Sequence, residues 1–128
     1  MATRHLLDTD ILVEYLRGSD RARVFLEGLG GDLFVSTVSV AELFAGVRGE
    51  AEEESLDRFL QAFTLVAQDL AIARRAGLYR REFGKSHGTG LADALIAASA
   101  QAVGSVLVTF NRRHFPMVEP VLVPYRRG

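Results

Sequence analysis

The sequence predicts an α/β protein, a three-layer α/β/α sandwich with a short, mostly parallel central sheet. Short apolar segments alternate along the chain with longer segments of helical periodicity, a pattern typical of parallel sheets that helices cover on both faces. The chain has 128 residues, 48% of them hydrophobic, and neither an internal repeat nor a low-complexity tract. We therefore expect a single globular domain over residues 1–128.

The predicted strands are short and apolar, and turn-forming or polar residues bound them. Asp8 ends the first strand, and Gly30 and Gly31 turn the chain into the second. We expect strands at 5–7, 33–36, 64–67 and 105–109, and an edge strand at 121–123. Pro120 and Pro124 flank this last segment, as suits a strand at the edge of a sheet.

The predicted helices carry local start signals. Ser19 or Asp20 caps the second helix and Asp69 caps the fifth, while the acidic run at 49–55 suits the first turn of the fourth. We expect helices at 11–16, from 19–20 to 29, at 39–48 and 52–63, from 69 to 82, and at 91–103. The segment GKSHGTG at 84–90 is predicted to be a flexible loop.

The composition excludes several kinds of function. There is no cysteine, so disulfides, thiolate zinc sites and cysteine nucleophiles are absent. The longest weakly polar stretch, 91–108, is too polar for a membrane helix, and the N-terminus lacks a signal-peptide pattern. We expect no membrane association and a cytoplasmic location. The net charge is −1, so any nucleic-acid binding must rest on local arginines or on metal ions.

Three acidic residues and one amide are predicted to meet at one edge of the sheet. Asp8 ends the first strand, and Glu42 lies in the first turn of the helix after the second. Asp93 lies in the first turn of the helix before the strand SVLVT, and Thr109 and Asn111 close that strand. Because a helix that feeds a parallel strand runs antiparallel to it, all these positions lie at the carboxyl edge, where such sheets bind ligands.

Carboxylates crowded into one crevice repel each other, and a divalent cation relieves that repulsion. Oxygen ligands favour Mg²⁺ or Mn²⁺ over zinc. These ions activate water and stabilise a leaving oxygen in phosphoryl chemistry. The residues therefore predict a metal-dependent phosphoesterase, although they do not select RNA as its substrate.

Each of these residues also has a purely structural explanation. Asp8 or Asp10 could cap the helix that begins at residue 11, and for Asp10 we favour that explanation. The segment SVAE, which ends at Glu42, fits a capping box, and Asp93 suits the dipole of its helix. Asn111 could be a turn residue. The joint placement of the four residues supports a site more than any one of them.

Four segments together resemble the sequence blocks of PIN-domain ribonucleases, and among these the VapC toxins of toxin–antitoxin pairs. The segments are LLDTDILVEYL at 6–16, VSTVSVAELFAGV at 35–47, GLADALIAASA at 90–100 and LVTFNRRHF at 107–115. They follow the family's order and span almost the whole chain. The resemblance implies that Asp8, Glu42 and Asp93 are metal ligands. Asn111 falls on the fourth position, often aspartate in this family, so a single ion is an open interpretation.

The resemblance also implies an activity and partners. It implies endonucleolytic cleavage of RNA, mostly tRNA or ribosomal RNA, with Mg²⁺ or Mn²⁺ as cofactor. It further implies a homodimer that a small VapB-type antitoxin inhibits. Thr9 and Thr109 occupy positions where small hydroxyl residues support the site. Arg112 and Arg113 flank it and could hold the RNA backbone, although solvated arginines are an equally good explanation.

Two other functions remain open at this point. A degenerate, non-catalytic PIN domain that binds RNA or protein is supported only by Asn111. A receiver module that accepts a phosphoryl group fits the length and the α/β alternation. However, no aspartate ends the predicted third strand at 64–67, and no lysine follows the fifth.

Overall fold

The computed structural model describes residues 3–127, so the extreme ends of the predicted domain lie outside it. A parallel sheet of five strands, in the order β3-β2-β1-β4-β5, forms its centre. The strands are β1 (Arg4–Leu7), β2 (Asp32–Ser36), β3 (Thr64–Val66), β4 (Val106–Val108) and β5 (Val121–Leu122). All the predicted strands are confirmed, including the edge position of the last.

Helices cover both faces of this sheet, which confirms the predicted three-layer sandwich. They are α1 (Thr9–Leu16), α2 (Asp20–Gly28), α3 (Thr37–Ala45), α4 (Glu50–Leu60), α5 (Leu70–His87) and α6 (Leu91–Ala102), and a short 3₁₀ turn spans Arg112–His114. None of the helices in residues 3–127 has the length and apolarity needed to cross a bilayer.

Strand alternation explains the two apolar layers. Leu6 and Leu7 in β1 are both completely buried, and successive side chains of a strand point to opposite faces. Leu6 packs with residues of α5 and α6, such as Ile72 and Ala97. Leu7 packs with residues of α1 to α4, such as Ile11. Each fully buried Leu or Ile contributes about 1.5–3 kcal/mol relative to exposure, so burial of both faces stabilises the sheet.

The order of strands along the sheet reverses, and open α/β sheets form a crevice at such a reversal. The connections from β1 to β2 and from β2 to β3 run through α1 to α4, whereas β3 connects to β4 through α5 and α6 on the other face. Right-handed crossovers require this change of face when the strand order turns back. The carboxyl ends of β1 and β4 flank the turning point, which is where open α/β sheets bind ligands.

Several predicted helix bounds are wrong. Helix α1 begins at Thr9 rather than residue 11, α3 ends at Ala45 rather than residue 48, and α4 spans Glu50–Leu60 rather than 52–63. Helix α5 continues through His87, so residues 84–87 are helical rather than part of a flexible loop. Gly88, with a φ of 66°, ends the helix in the left-handed conformation that glycine adopts easily. Helix α3 begins at Thr37 and not at residue 39, because the Ser36 hydroxyl accepts the Val38 N–H at 3.2 Å and caps it.

Candidate active site

Asp8 lies at the centre of the carboxyl edge, between the ends of β1 and β4. Its backbone N–H donates to the Val108 carbonyl at 2.9 Å, which continues the pairing of the two strands. The residue is only 5% exposed. Chain connectivity thus places a carboxylate in a buried position where the sheet opens into the crevice.

Two hydrogen bonds orient the Asp8 carboxylate. Its Oδ1 accepts the Thr9 N–H at 2.8 Å, and its Oδ2 accepts the Thr109 hydroxyl at 2.7 Å. The first contact caps α1, so Asp8 is the cap of this helix. The second fixes the carboxylate against the end of β4. Asp8 therefore caps α1, as the structural explanation proposed, and also lies at the carboxyl edge of the sheet, as the site prediction requires.

Burial is the main reason why the pKa of Asp8 is raised to about 8. The neighbouring charge of Asp10 raises it further, the hydrogen bonds from Thr109 and Thr9 lower it, and the charge of Asp93 raises it slightly. At neutral pH the Asp8 carboxyl therefore keeps its proton more often than not in the metal-free protein. A cation bound beside it would remove the penalty.

Asp10 does not cap the helix, contrary to the preferred prediction. Its Oδ2 instead accepts the Phe110 N–H at 3.0 Å and the Asn111 side-chain amide at 3.2 Å, with the Thr109 hydroxyl at 3.4 Å. Asp10 therefore holds the segment that follows β4. The spacing of two residues from Asp8 was the only sequence signal for this role, and a local capping pattern explained it equally well.

Burial also raises the pKa of Asp10, while the Phe110 N–H and then the Arg127 charge oppose the rise. Its second oxygen, Oδ1, is buried and has no hydrogen-bond partner within residues 3–127. Asp8 and Asp10 together place two carboxyl groups with raised pKa values at the end of β1, where a cation would lower the cost of ionising them.

Glu42 is connected to the Asp8 region through Thr9. The Thr9 hydroxyl donates to Glu42 Oε1 at 2.7 Å, and its oxygen lies 2.7 Å from the Ser39 hydroxyl. Since Thr9 has a single hydroxyl proton, Ser39 donates to Thr9. The predicted capping box is wrong, because Ser39 is fully buried inside α3 and Glu42 lies in its second turn. The Glu42 residue itself is exposed.

Asp93 occupies the first turn of α6 and is about one quarter exposed. Its position in the first turn suits the helix dipole, as the structural explanation proposed. Its Oδ2 also accepts the N–H of the N-cap residue Gly90 at 2.9 Å, a contact that was not predicted. The same oxygen lies 3.5 Å from His114 Nδ1. Because its charge acts on Asp8, Asp93 forms with Asp8 and Asp10 what we call the acidic cluster.

The segment after β4 carries the remaining predicted residues. The Asn111 N–H donates to the Thr109 hydroxyl oxygen at 3.0 Å, and its exposed side chain reaches Asp10. Arg112 Nη2 donates to the Val121 carbonyl at 2.7 Å, which ties this segment to β5. Arg113 is exposed. Arg112 thus stabilises the fold through a hydrogen bond to β5, whereas Arg113 faces solvent.

The donor set fits a hard divalent cation that the protein holds only in part. No three His, Cys, Asp or Glu side chains within residues 3–127 are grouped closely enough to enclose an ion. Mg²⁺ commonly binds one or two carboxylates and completes its shell with water and substrate phosphate. Asp8 and Asp93, two carboxylates at the same crevice, match that mode of binding.

A model of the PIN domain family matches residues 5–119. The chain belongs to the PIN domain family. Two sequence relatives from Mycobacterium tuberculosis are ribonucleases. Ribonuclease VapC10 is 42% identical over 94% of this chain and 92% of its own. Ribonuclease VapC19 is 43% identical over 94% of this chain and 98% of its own. The predicted resemblance to VapC proteins is therefore confirmed.

Solved structures with a similar fold come from toxin–antitoxin complexes. One is a toxin–antitoxin complex from Klebsiella pneumoniae, with a TM-score of 0.83 and 28% identity over 96% of this chain and 99% of the other. Another is VapBC2 from Rickettsia felis, bound to a DNA fragment from its promoter. Its TM-score is 0.75, at 26% identity over 94% of this chain and 96% of the other.

Proposed function

We propose that this protein is the endoribonuclease toxin of a toxin–antitoxin pair and that it requires Mg²⁺ or Mn²⁺. One observation carries the metal requirement. Asp8 is a buried carboxylate beside two further acids, Asp10 and Asp93, at the carboxyl edge of a parallel sheet. The ribonuclease relatives and the similarity to toxin–antitoxin structures support the activity and its cellular role.

Asp8 and Asp93 would hold the ion, and Glu42 would contribute from the crevice rim. When bound, Mg²⁺ or Mn²⁺ would activate a water molecule and stabilise the leaving oxygen of the phosphodiester. The hydroxyl of Thr109 keeps Asp8 Oδ2 in place, and Thr9 keeps Glu42 at the rim. Both threonines therefore act by orienting carboxylates.

Asn111 gives the site one charge fewer than an aspartate at the same position would. Its side-chain amide donates a hydrogen bond to Asp10, whereas the carboxylate of an aspartate at this position would have no proton to donate. Because the Asn111 side chain is held by Asp10 and carries no charge, the site favours a single tightly bound ion over two. Arg113, which is exposed beside the crevice, is available to bind an RNA phosphate.

The partners in this proposal are a small VapB-type antitoxin, an RNA substrate and a second copy of the chain. Structured tRNA or ribosomal RNA is the substrate class, and the cytoplasm is the location where the protein would meet it. A receiver function has no support, because Ala67 and Gln68 follow β3 and the single lysine, Lys85, lies within α5.

The proposal is tested by RNA cleavage with purified wild-type protein and two charge-neutral variants, Asp8→Asn and Asp93→Asn. We expect cleavage with Mg²⁺ or Mn²⁺ and none with EDTA, and a loss of at least about 100-fold in each variant. Asp57→Asn is the matched control, because Asp57 is exposed on α4 and should leave the rate unchanged.

Equal cleavage by all three variants would disprove the assignment of the site. RNA binding without any cleavage by the wild type would instead favour a non-catalytic binding domain. Growth arrest on induction tests the toxin role. Asp8→Asn should relieve the arrest and Asp57→Asn should not.

A further inference from the structure

The C-terminal segment packs directly beside the acidic cluster. The Tyr125 ring meets the Phe110 ring edge-on at 5.1 Å between centroids. The Arg127 guanidinium lies over the Phe110 ring at 4.5 Å from its centroid, and it is 3.8 Å from the Glu14 carboxylate. The last residues of the described chain therefore contact the segment that follows β4.

A second arginine anchors this segment from α2. The Arg21 guanidinium lies 4.1 Å from the centroid of the Tyr125 ring, and its Nη2 donates to the Arg126 carbonyl at 2.9 Å. Stacking and a hydrogen bond to the backbone together define the position of the segment. It forms one wall of a cleft rather than a free end.

The cleft has a volume of about 440 Å³ and is lined by Phe110, Val123, Tyr125, Arg126 and Arg127. We call it the C-terminal cleft. It adjoins the acidic cluster, because the N–H of Phe110 donates to Asp10 while the Phe110 ring lines the cleft. A polymer that passes through the crevice at Asp8 would therefore meet this cleft next.

We propose that the C-terminal cleft binds the RNA nucleotide adjacent to the cleaved phosphodiester. The inference rests on the proposed function, and it adds a substrate subsite to it. The aromatic and arginine side chains of the cleft are those that bind unpaired nucleotides without regard to sequence. The subsite would thus select single-stranded RNA at this side of the crevice.

Arg127 is the central residue of the subsite. Its planar guanidinium has one face on Phe110, and the other face offers a stacking surface for a base. The side chain is 42% exposed, so a ligand can reach it. Arg126, which is also exposed, adds a second positive charge for the phosphate.

Tyr125 supplies a polar group that the fold leaves without a partner. Its hydroxyl is buried and makes no hydrogen bond within residues 3–127. An unpaired buried hydroxyl is unfavourable until a partner arrives. A ribose hydroxyl or a phosphate oxygen becomes a suitable partner once the Tyr125 side chain turns toward the cleft, and an apolar ligand does not.

RNA binding measures the subsite without relying on cleavage. We would follow a fluorescein-labelled, unstructured RNA of twelve nucleotides by anisotropy, in EDTA and at several salt concentrations. All variants would carry Asp93→Asn so that the RNA stays intact. Arg127→Met keeps a side chain that packs on Phe110 but removes the charge and the planar surface. Arg74→Met is the matched control, because Arg74 is exposed on α5 in the opposite layer.

We expect Arg127→Met to weaken RNA binding by about 10-fold or more, as the loss of one stacked base would. The slope of log Kd against log salt should fall by about 0.7, the value for one phosphate contact on a single strand. Arg127→Lys should restore the slope but only part of the affinity, because lysine has no planar surface. Arg74→Met should change Kd by less than about 2-fold.

Small ligands separate recognition of a base from recognition of phosphate alone. In an NMR titration, AMP should shift the signals of Phe110 and Tyr125, whereas ribose 5-phosphate should shift them less and bind more weakly. Equal shifts and equal affinity for the two ligands would overturn a nucleotide subsite, because the cleft would then bind any phosphate.

Three further results would overturn the inference. One is unchanged RNA affinity in Arg127→Met, and another is an equal loss in the Arg74→Met control. The third is a fall in the cleavage rate of Arg127→Met, measured separately with Asp93 intact, while Kd and salt slope stay unchanged, since Arg127 would then act only through its charge on Asp10. A wild-type protein that binds RNA through the cleft but never cleaves it would refute the proposed function and leave the subsite standing.

Discussion

Replacing Asp8 with asparagine should stabilise the metal-free protein and abolish RNA cleavage at the same time. The substitution removes a charge that is buried and lies near two other acids. Asparagine keeps the capping contact through its Oδ1, which accepts the Thr9 N–H. The amide of the substituted asparagine donates to the Thr109 hydroxyl oxygen. The Thr109 hydroxyl then donates its own proton to Asp10 Oδ2, which is 3.4 Å away. The hydrogen bonds therefore survive the change.

The pKa of Asp8 sets the size and the sign of the effect. This pKa is about 8 in the folded protein and 3.8 in an unperturbed chain, so the folded state binds the proton more tightly. The stability that the protonated group contributes is complete below about pH 4 and is lost as the pH rises through 8. The full difference corresponds to an upper limit of about 6 kcal/mol.

The real gain in stability is smaller than this limit, because Asp8 and Asp10 titrate together and because water that enters the site lowers the cost of a charged Asp8. We expect Asp8→Asn to raise the free energy of unfolding by about 2–3 kcal/mol at pH 8 and by almost nothing at pH 4. Urea unfolding in EDTA at pH 4, 6 and 8 measures the difference. Asp57→Asn, on the exposed face of α4, is the control and should show no pH-dependent gain.

A variant that is less stable than the wild type at pH 8 would refute this reasoning, because Asp8 would then stabilise the fold through its charge. A gain of equal size at every pH would refute the titration as its cause. The rate of RNA cleavage by Asp8→Asn tests the second part of the prediction. A stabilised variant that still cleaves RNA would show that Asp8 is not needed for the chemistry.

Three further predictions concern neighbouring features. Mn²⁺ affinity, measured by calorimetry, should fall by up to about 10-fold per pH unit from pH 8 to 6 because protons compete for Asp8, and a flat profile would contradict a carboxylate site. Thr109→Val should destabilise by about 1–3 kcal/mol in urea and slow cleavage, whereas Thr109→Ser should keep both, since only valine removes the donor to Asp8. Gly88→Ala should destabilise by about 1 kcal/mol at its positive φ, and Gly77→Ala within α5 should stabilise by about 0.5–1 kcal/mol; equal signs would contradict the assigned backbone conformations.

The order of the strands and helices was predictable because it depends on local patterns. The segments around Leu6, Val35 and Leu107 are short and apolar on both faces, which requires a sheet covered on both sides. Parallel strands place their carboxyl ends at one edge, so the approach of Asp8 and Asp93 also followed from the sequence. The resemblance to PIN-domain ribonucleases, confirmed by the family match over 5–119, depended on the same segments.

The hydrogen-bond partners were not predictable, because they join residues that are far apart along the chain. Asp10 binds the backbone of Phe110, and Thr9 joins Ser39 to Glu42. A local capping pattern explains Asp10, Ser39 and Glu42 equally well from sequence alone. Helix α5 likewise extends to His87, because packing against α6 outweighs the weak helix propensity of Gly84.

The sequence by itself determined which segments are strands, which edge of the sheet gathers the acids and which family the chain resembles. Only the tertiary structure decided how deeply Asp8 is buried, what holds Asp10, and that Arg127 packs beside the crevice. Burial and long-range contacts depend on the packing of all the elements together. Secondary structure depends mainly on residues close in sequence, and for that reason it could be predicted first.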